Sequence, residues 1–516
     1  MTTRHYDVVV LGRSLGALTT AALLARRDFR VLLLGQGERP ARYRYERFSL
    51  LRRTFTMLAA ASPAFKRVLH ELAQSPRFRR RTRPLDPMFV VLTDGRRVEV
   101  PPDVELFSRE VDREFPEVRQ LVDELYSTFA HVNAAADSSF ERDAIWPPGS
   151  FWERLETGRA AGQLPLVGGA SPQDLLGKFP VGHPYRDLTL VPATFATDLA
   201  QPAEQLPPFV VARLHGAWTR GVLALEGGED ELTEFLIERI EAHGGECRLD
   251  RRAQSIVVRR GVAMGIVEDG EDEPTGASAI VTDQSGEMVA ELAGGDGITK
   301  QAQRDWPRLS ATTGRFVVTL VVDRAGLPEP LGTEAFVIPS SVSRPDPRHP
   351  VVHLQRMEGL DESPSEVTLV AEMLLPTRGP LTLLEARDAV LSTLRAQLPF
   401  LDRHVRVIDS PHDGLPLIDR STGSEREIDR IHLAEGTPGA EPMRWQWSVE
   451  PSGYLDIAGE PIRGPIPGTF LVGRTVLPGL GQEGELIAAW GAARLITRRD
   501  RTRQKMRRQM WTKIET

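Results

Sequence analysis

One stretch near the start limits what this chain can fold into. Residues Tyr6 to Gln36 read YDVVVLGRSLGALTTAALLARRDFRVLLLGQ. An apolar run, Val8 to Leu11, stops at Gly12. A turn of small residues follows, then an alanine- and leucine-rich helical stretch to Arg27 and a second apolar run, Val31 to Leu34. Strand, tight turn, helix and strand within about thirty residues make a βαβ unit with parallel strands. The turn is Gly12-Arg13-Ser14-Leu15-Gly16-Ala17. Set against G-x-G-x-x-G/A, Gly12 gives the tight turn and Ala17 the small residue for close helix–strand packing. Ser14 takes the place of the middle glycine, and Gly16 adds backbone freedom. The unpaired N–H groups at the start of such a helix suit a pyrophosphate. The second strand ends in Gly35 and Gln36, where an acid normally holds ribose hydroxyls; Gln36 offers one acceptor and Glu38 lies two residues on. An α/β unit with a glycine turn and no ligand is the plainer alternative.

At 516 residues there is room for two or three domains, each with its own core. A net charge of −7 gives no global case for nucleic acid, and the arginine-rich tail lacks interleaved aromatics to stack on bases. The single cysteine, Cys247, excludes an internal disulfide framework and a cysteine-based metal cluster, and fits a reducing compartment. No metal site is expected. No run approaches about 18 apolar residues, so no spanning helix is expected. The N-terminus leads straight into a strand, leaving no room for a signal peptide. The expected location is cytoplasmic, with peripheral contact at the inner face of a membrane left open.

From Arg42 to Arg83 arginines outnumber acids and alternate with apolar residues. Helical spacing there predicts amphipathic helices with a cationic face suited to an anionic bilayer, or a helix pair whose apolar face joins the core. Met88 to Val100 reads as a hairpin turning at Asp94-Gly95. Helical stretches follow from Asp103, then a Pro- and Gly-punctuated region from Trp146 to Leu190. A helix from Glu231 to His243 is closed by Gly244-Gly245, and strands follow at Cys247 to Leu249, Ala253 to Arg259, Val262 to Val267 and Ala277 to Thr282. Arg315 to Asp323, Val351 to Gln355 and Val367 to Met373 are strands of a mixed sheet, with a helix near Leu381 to Leu398. The chain ends with a strand at Gly468 to Val472, Gly473-Arg474, the loop PGLGQEG and a helix through Ile496.

The N-terminal βαβ pattern, the block from Gly227 to Ile266 and the closing FLVGRTVLPGLGQEGELIAAWGAARLI together resemble the FAD-dependent phytoene desaturase group. That group includes carotenoid isomerases and retinol saturases and is a branch of the amine-oxidase-like flavoproteins. The resemblance implies an α/β fold class: a Rossmann-like FAD-binding domain of the glutathione-reductase type with an inserted α+β substrate domain. The implied order is an FAD-binding part over 1–100, a substrate- or membrane-facing part over 101–217, the middle of the FAD-binding domain over 218–300, the second substrate part over 301–460, the closing part over 461–497 and a basic tail over 498–516. FAD is the implied cofactor. Its contacts carry over to Gly12, Arg13, Ser14, Leu15, Gly16, Ala17, Gly35, Gln36, Arg42, Ala253, Gly473, Arg474, Gly481, Glu483, Gly484, Glu485 and Leu486. Ala253 opens the strand whose counterpart lays its backbone against the adenine. The N-terminus of the closing helix would face the pyrimidine edge of the flavin and stabilise charge formed on reduction. Departures fall at these contacts: Ser14 for a glycine, Gly35 for the ribose acid, Ala41-Arg42 for a glycine pair, and Arg474 for an acidic or small residue. Glu483 and Glu485 would compete with a reduced flavin for the helix end, and Arg13, Arg42 and Arg474 could offset this by pairing with the pyrophosphate.

The leading expectation is an FAD-dependent oxidoreductase acting on a hydrophobic polyene or isoprenoid-type substrate by desaturation, saturation or isomerisation. No catalytic residue is assigned; His183, His215 and Asp198 lie in the region where one is expected. A non-catalytic scaffold or partner subunit that has lost tight FAD binding is the second reading, under which Gly35→Glu with Arg474→Asp should restore it. An amine oxidase-like flavoenzyme with a cage from Trp445, Trp447, Trp490 and Tyr454 is the third. The expected partners are a hydrophobic small molecule and an anionic membrane surface, with no nucleic acid; the oligomeric state is not legible.

Overall fold

Strand β1 (His5–Leu11), helix α1 (Leu15–Arg26) and strand β2 (Val31–Leu34) form the expected βαβ unit. The two strands pair in parallel, Val8 opposite Val31 and Leu11 opposite Leu34, and Val8 to Leu11 are fully buried. Ser14 caps α1, its Oγ accepting the Ala17 N–H at 3.2 Å. A Cβ on Gly16 would lie 1.9 Å from the Val472 carbonyl oxygen, so only glycine lets the two ends of the chain come this close. The computed structural model describes residues 5–500 apart from 86–87, 93, 168–169, 330, 358–364 and 434–438.

β1 and β2 lie inside a seven-stranded sheet ordered Ala253–Arg259, Val262–Glu268, Thr275–Thr282, β1, β2 and Glu246–Arg248, with Thr469–Leu471 pairing on Thr275–Thr282. Residues from the start, middle and end of the chain therefore share one sheet. The closing helix Gly481–Arg498 packs on α1 and is buried from Gly481 to Thr497 apart from Gln482. This enclosure explains why neither helix has a polar stripe.

A ten-stranded sheet forms the second body, with Arg308–Asp323 as its spine. From Thr313 to Asp323 the spine runs antiparallel to Glu366–Pro376; it pairs with Arg444–Glu450 at its start and with Val405–Asp409 near its end. Phe316, Val318, Leu320 and Val322 alternate onto one face, where helix Leu383–Gln397 supplies Val390 and Leu394. The expected hairpin, Met88–Val91 with Arg97–Val100, extends this sheet through parallel pairing with Glu334–Val337. Helix Pro208–Thr219 packs on both Arg119–Glu141 and Pro184–Ala196, and Phe151–Ala161 packs on Arg119–Glu141.

The basic segment folds differently from its amphipathic-helix expectation. Arg42–Tyr45 and Phe48–Leu51 are paired strands, with Tyr43 and Tyr45 inward and Arg44 outward, a period of two. Only Pro63–Glu71 and Ser75–Arg81 are α-helical, with a 3-10 turn at Leu58–Ala61. Several arginines meet distant acids: Arg47 with Glu366, Arg52 with Glu441, Arg77 and Arg81 with Glu238. Among the described residues no helix is long and apolar enough to cross a membrane. The basic tail beyond 500 lies outside the described residues.

Candidate functional site

The turn after β1 and the start of the closing helix do meet. The Gly16 N–H donates to Glu485 Oε2 at 3.2 Å, across 469 positions of sequence. Gly473 packs so closely on residue 283 that a Cβ there would lie 2.1 Å from the Asp283 carbonyl oxygen. The result is a cradle at the carboxyl ends of parallel strands, walled by Gly12–Ala17, Asp283, Gly473 and the closing helix.

Three side chains of the chain itself fill that cradle. The Asp283 carboxylate lies directly over Gly12, where a Cβ would come within 2.1 Å of it, and Asp283 Oδ2 accepts the Ser14 N–H at 2.9 Å. Glu485 takes the Gly16 N–H. At the far end of the cradle Gln36 lies against Ala253: the Ala253 N–H donates to Gln36 Oε1 at 2.9 Å, and Gln36 Nε2 donates to the Ala253 carbonyl at 3.2 Å. Carboxylates suit the helix start because its N–H groups have no intrahelical partner and carry partial positive charge. Burial, joined by the charge of Glu38, nonetheless pushes the Asp283 carboxyl up to about 7. Burial also raises Glu485, against the pull of Arg474.

Two of the arginines expected to pair with a pyrophosphate, Arg13 and Arg474, have acidic partners in the chain. Arg13 approaches Asp230 at 3.9 Å, and Asp230 also accepts the main-chain N–H groups of Ala41 and Arg42. Arg474 lies 3.6 Å from Glu485 and 3.9 Å from Asp198. Beside it, Arg53 and Arg444 both bind Glu229 at 2.5 Å. Burial would raise Glu229, but Arg444 and Arg53 outweigh it and hold the carboxyl well below its usual range. Around this network remains a chamber of about 80 Å³, lined by Phe195, Asp198, His353, Arg444, Arg474 and Glu485 among others.

Other expectations are corrected by packing. A Cβ on Gly35 would lie 2.0 Å from the Leu249 carbonyl oxygen, so no acid fits there and the Gly35→Glu restoration is sterically barred. Glu483 turns away from the cradle into a two-pronged pair with Arg213, at 2.7 and 2.6 Å, and accepts the Ser62 hydroxyl. Gly481, at φ 51°, and Gly484 are needed for close approach to the Ala196 and Leu477 carbonyls, and Leu486 is core. Leu15 packs at the edge of the same core. His215 is fully buried between Tyr126 and the Thr189 carbonyl, and burial lowers it to about 4. His183 caps helix Pro184–Ala196 and meets Glu117. Of the three, only Asp198 lines the chamber. Trp490 lies away from it, bonded to Asp143 and beneath Arg67.

Asp283, Arg53, Glu229 and Arg444 went unnoticed in the sequence. Asp283 had a signal: it follows the strand Thr275–Thr282, next to β1, at the strand end where ligands of open α/β sheets collect. A second cavity of about 450 Å³, within the size range of ligand pockets, adjoins the chamber and shares Phe55 and Thr56 with it.

No protein-family model matches the chain, and no curated protein does. Solved structures do. An oxidoreductase from Methanosarcina mazei aligns over 93% of this chain and 98% of its own, at 15% identity and TM-score 0.59. A putrescine oxidase redesigned for cofactor binding aligns over 96% and 100%, at 14% identity and TM-score 0.55. The PF1083 protein from Pyrococcus furiosus aligns over 95% and 97%, at 13% identity and TM-score 0.52. The chain shares the α/β fold of these structures, an oxidoreductase and a putrescine oxidase among them. At these identities the likeness concerns the fold alone. Against FAD itself, the main-chain groups of this fold fit: Ser14 and Gly16 offer N–H donors, and Ala253 offers a donor and an acceptor. The room is partly taken: Gln36, Asp283 and Glu485 stand on those groups and the chamber beside Arg474 holds about 80 Å³, while a cleft of about 410 Å³ lies beside Gln36 and Ala253.

Proposed function

We propose that this chain is an FAD-dependent oxidoreductase of the amine-oxidase-like superfamily, related in activity to the phytoene desaturase group and acting on an apolar, isoprenoid-type substrate. The observation that carries the reading is the convergence of Ser14, Gly16 and Ala253 main-chain groups with the closing helix on one cradle. In the cofactor-bound form the start of α1 would hold the pyrophosphate, Ala253 the adenine edge, and Arg474 would supply positive charge. Bound FAD supplies hydride acceptance or donation. The chain's own part is to position the substrate and exclude water. The neighbouring cavity supports an apolar substrate through Phe55, Met57, Leu223, Leu225 and Met357, while its Glu226 suits the amine alternative. Peripheral contact with an anionic bilayer belongs to the proposal, supported by Phe151 and Trp152, each 73% exposed on a helix that also exposes Arg154 and Arg159.

The filled cradle favours a second reading, a scaffold that keeps the fold without turnover. The visible absorption spectrum of purified protein, before and after incubation with FAD and gel filtration, separates the two. Retained flavin absorbance supports the oxidoreductase. A colourless protein that takes up no FAD, even when the side chains in the cradle are cut back, leaves the scaffold.

A further inference from the structure

Gln36, Asp283 and Glu485 come from three separate elements: the end of β2, the end of strand Thr275–Thr282, and the first turns of the closing helix. Each one lands on a main-chain group that this fold presents to a nucleotide. Their chemistry matches as well as their places. A carboxamide offers one acceptor and one donor side by side, as the amino-pyrimidine edge of adenine does, and Gln36 uses both on Ala253. The two carboxyl groups bring acceptor oxygens to the turn at the start of α1, one to Ser14 N–H and one to Gly16 N–H, as the two phosphates of a pyrophosphate would. Gln36 holds this position at φ 53°, a left-handed conformation disfavoured for a residue with a side chain, so its surroundings impose the pose.

We propose that these three side chains are a built-in surrogate for the ADP half of FAD, which closes the cofactor cradle and which a nucleotide must displace to bind. The inference rests on the FAD-fold reading of the site. It makes Gln36, Asp283 and Glu485 determinants of whether the chain carries a cofactor, acting by occupancy and not by chemistry on substrate. Displacement has a ready route, because all three block the cradle with side chains and leave the backbone frame in place. Arg474, 3.6 Å from Glu485, would remain to balance the released charge of Glu485.

ADP is the informative probe, because it needs the adenine and pyrophosphate contacts but not the small chamber beyond them. Calorimetric titration with ADP should compare wild type, Gln36→Gly/Asp283→Ala/Glu485→Ala, and the shape-preserving Asp283→Asn/Glu485→Gln. The truncated variant should bind ADP at least about tenfold more tightly than wild type, with the shape-preserving variant gaining less. Equal ADP affinity in wild type and the truncated variant overturns the surrogate and leaves the oxidoreductase reading standing. A folded truncated variant that binds neither ADP nor FAD overturns both. Should the truncated variant not fold, Gln36→Gly alone keeps both carboxylates and relieves the left-handed backbone. It should tighten ADP binding at least about threefold, and no gain overturns the proposal.

Discussion

Asp283 is the residue with the most to lose from its position. Burial and the nearby Glu38 and Glu485 raise its carboxyl to about 7, while Ser14 pulls the other way. A carboxyl whose folded value lies above its unfolded value near 3.9 contributes stability fully below that lower value, and the contribution is lost as pH rises through about 7. Wild-type protein should therefore lose thermal stability between about pH 4 and 7 in low-salt buffer, and Asp283→Asn should flatten that part of the profile. An unchanged slope in the variant would show that Asp283 is ionised throughout. The Arg213–Glu483 pair makes the opposite case: both groups are buried and each satisfies the other, with Asp137 and Ser62 at the edges. Removing one side leaves a buried charge, so Arg213→Leu should cost about 3–5 kcal/mol in denaturant unfolding, against little for the exposed pair Arg304–Asp305.

At the scale of elements, β1, α1 and β2 were readable because continuous apolar runs broken by glycine leave few alternatives. The hairpin Arg42–Leu51 was not, since its two-residue alternation is short and runs into a longer basic segment whose arginines and apolar residues recur at helical spacing. Its strand character comes from Tyr43 and Tyr45, whose hydroxyls reach Asp409 and Asp419 of the distant sheet. The missing ribose acid was legible as an absence but not as a cause: strand Glu246–Arg248 pairs with β2 and brings Leu249 over Gly35. Even Gly35→Ala should therefore cost about 1–3 kcal/mol, by forcing these neighbouring segments apart. A thermal melt equal to that of wild type would mean that the strand edge yields freely.

For the whole molecule, the meeting of both chain ends on one sheet followed from the resemblance of the βαβ unit and the closing motif. What fills their junction did not. Asp283 is a single acid 269 positions from the N–H it accepts, and no local pattern marks such a partner. The glutamates of the closing helix were visible, yet only packing distinguishes Glu485, which enters the cradle, from Glu483, which leaves it. The fold thus presents a nucleotide site whose donors are already satisfied from within. Amide hydrogen exchange of flavin-free protein, resolved at Ser14, Gly16 and Ala253, tests this most directly. All three amides should exchange slowly in wild type and faster once Gln36, Asp283 and Glu485 are truncated, with β1 unchanged. Rapid exchange of the three in the wild-type chain would contradict the account, since it would mean an open cradle.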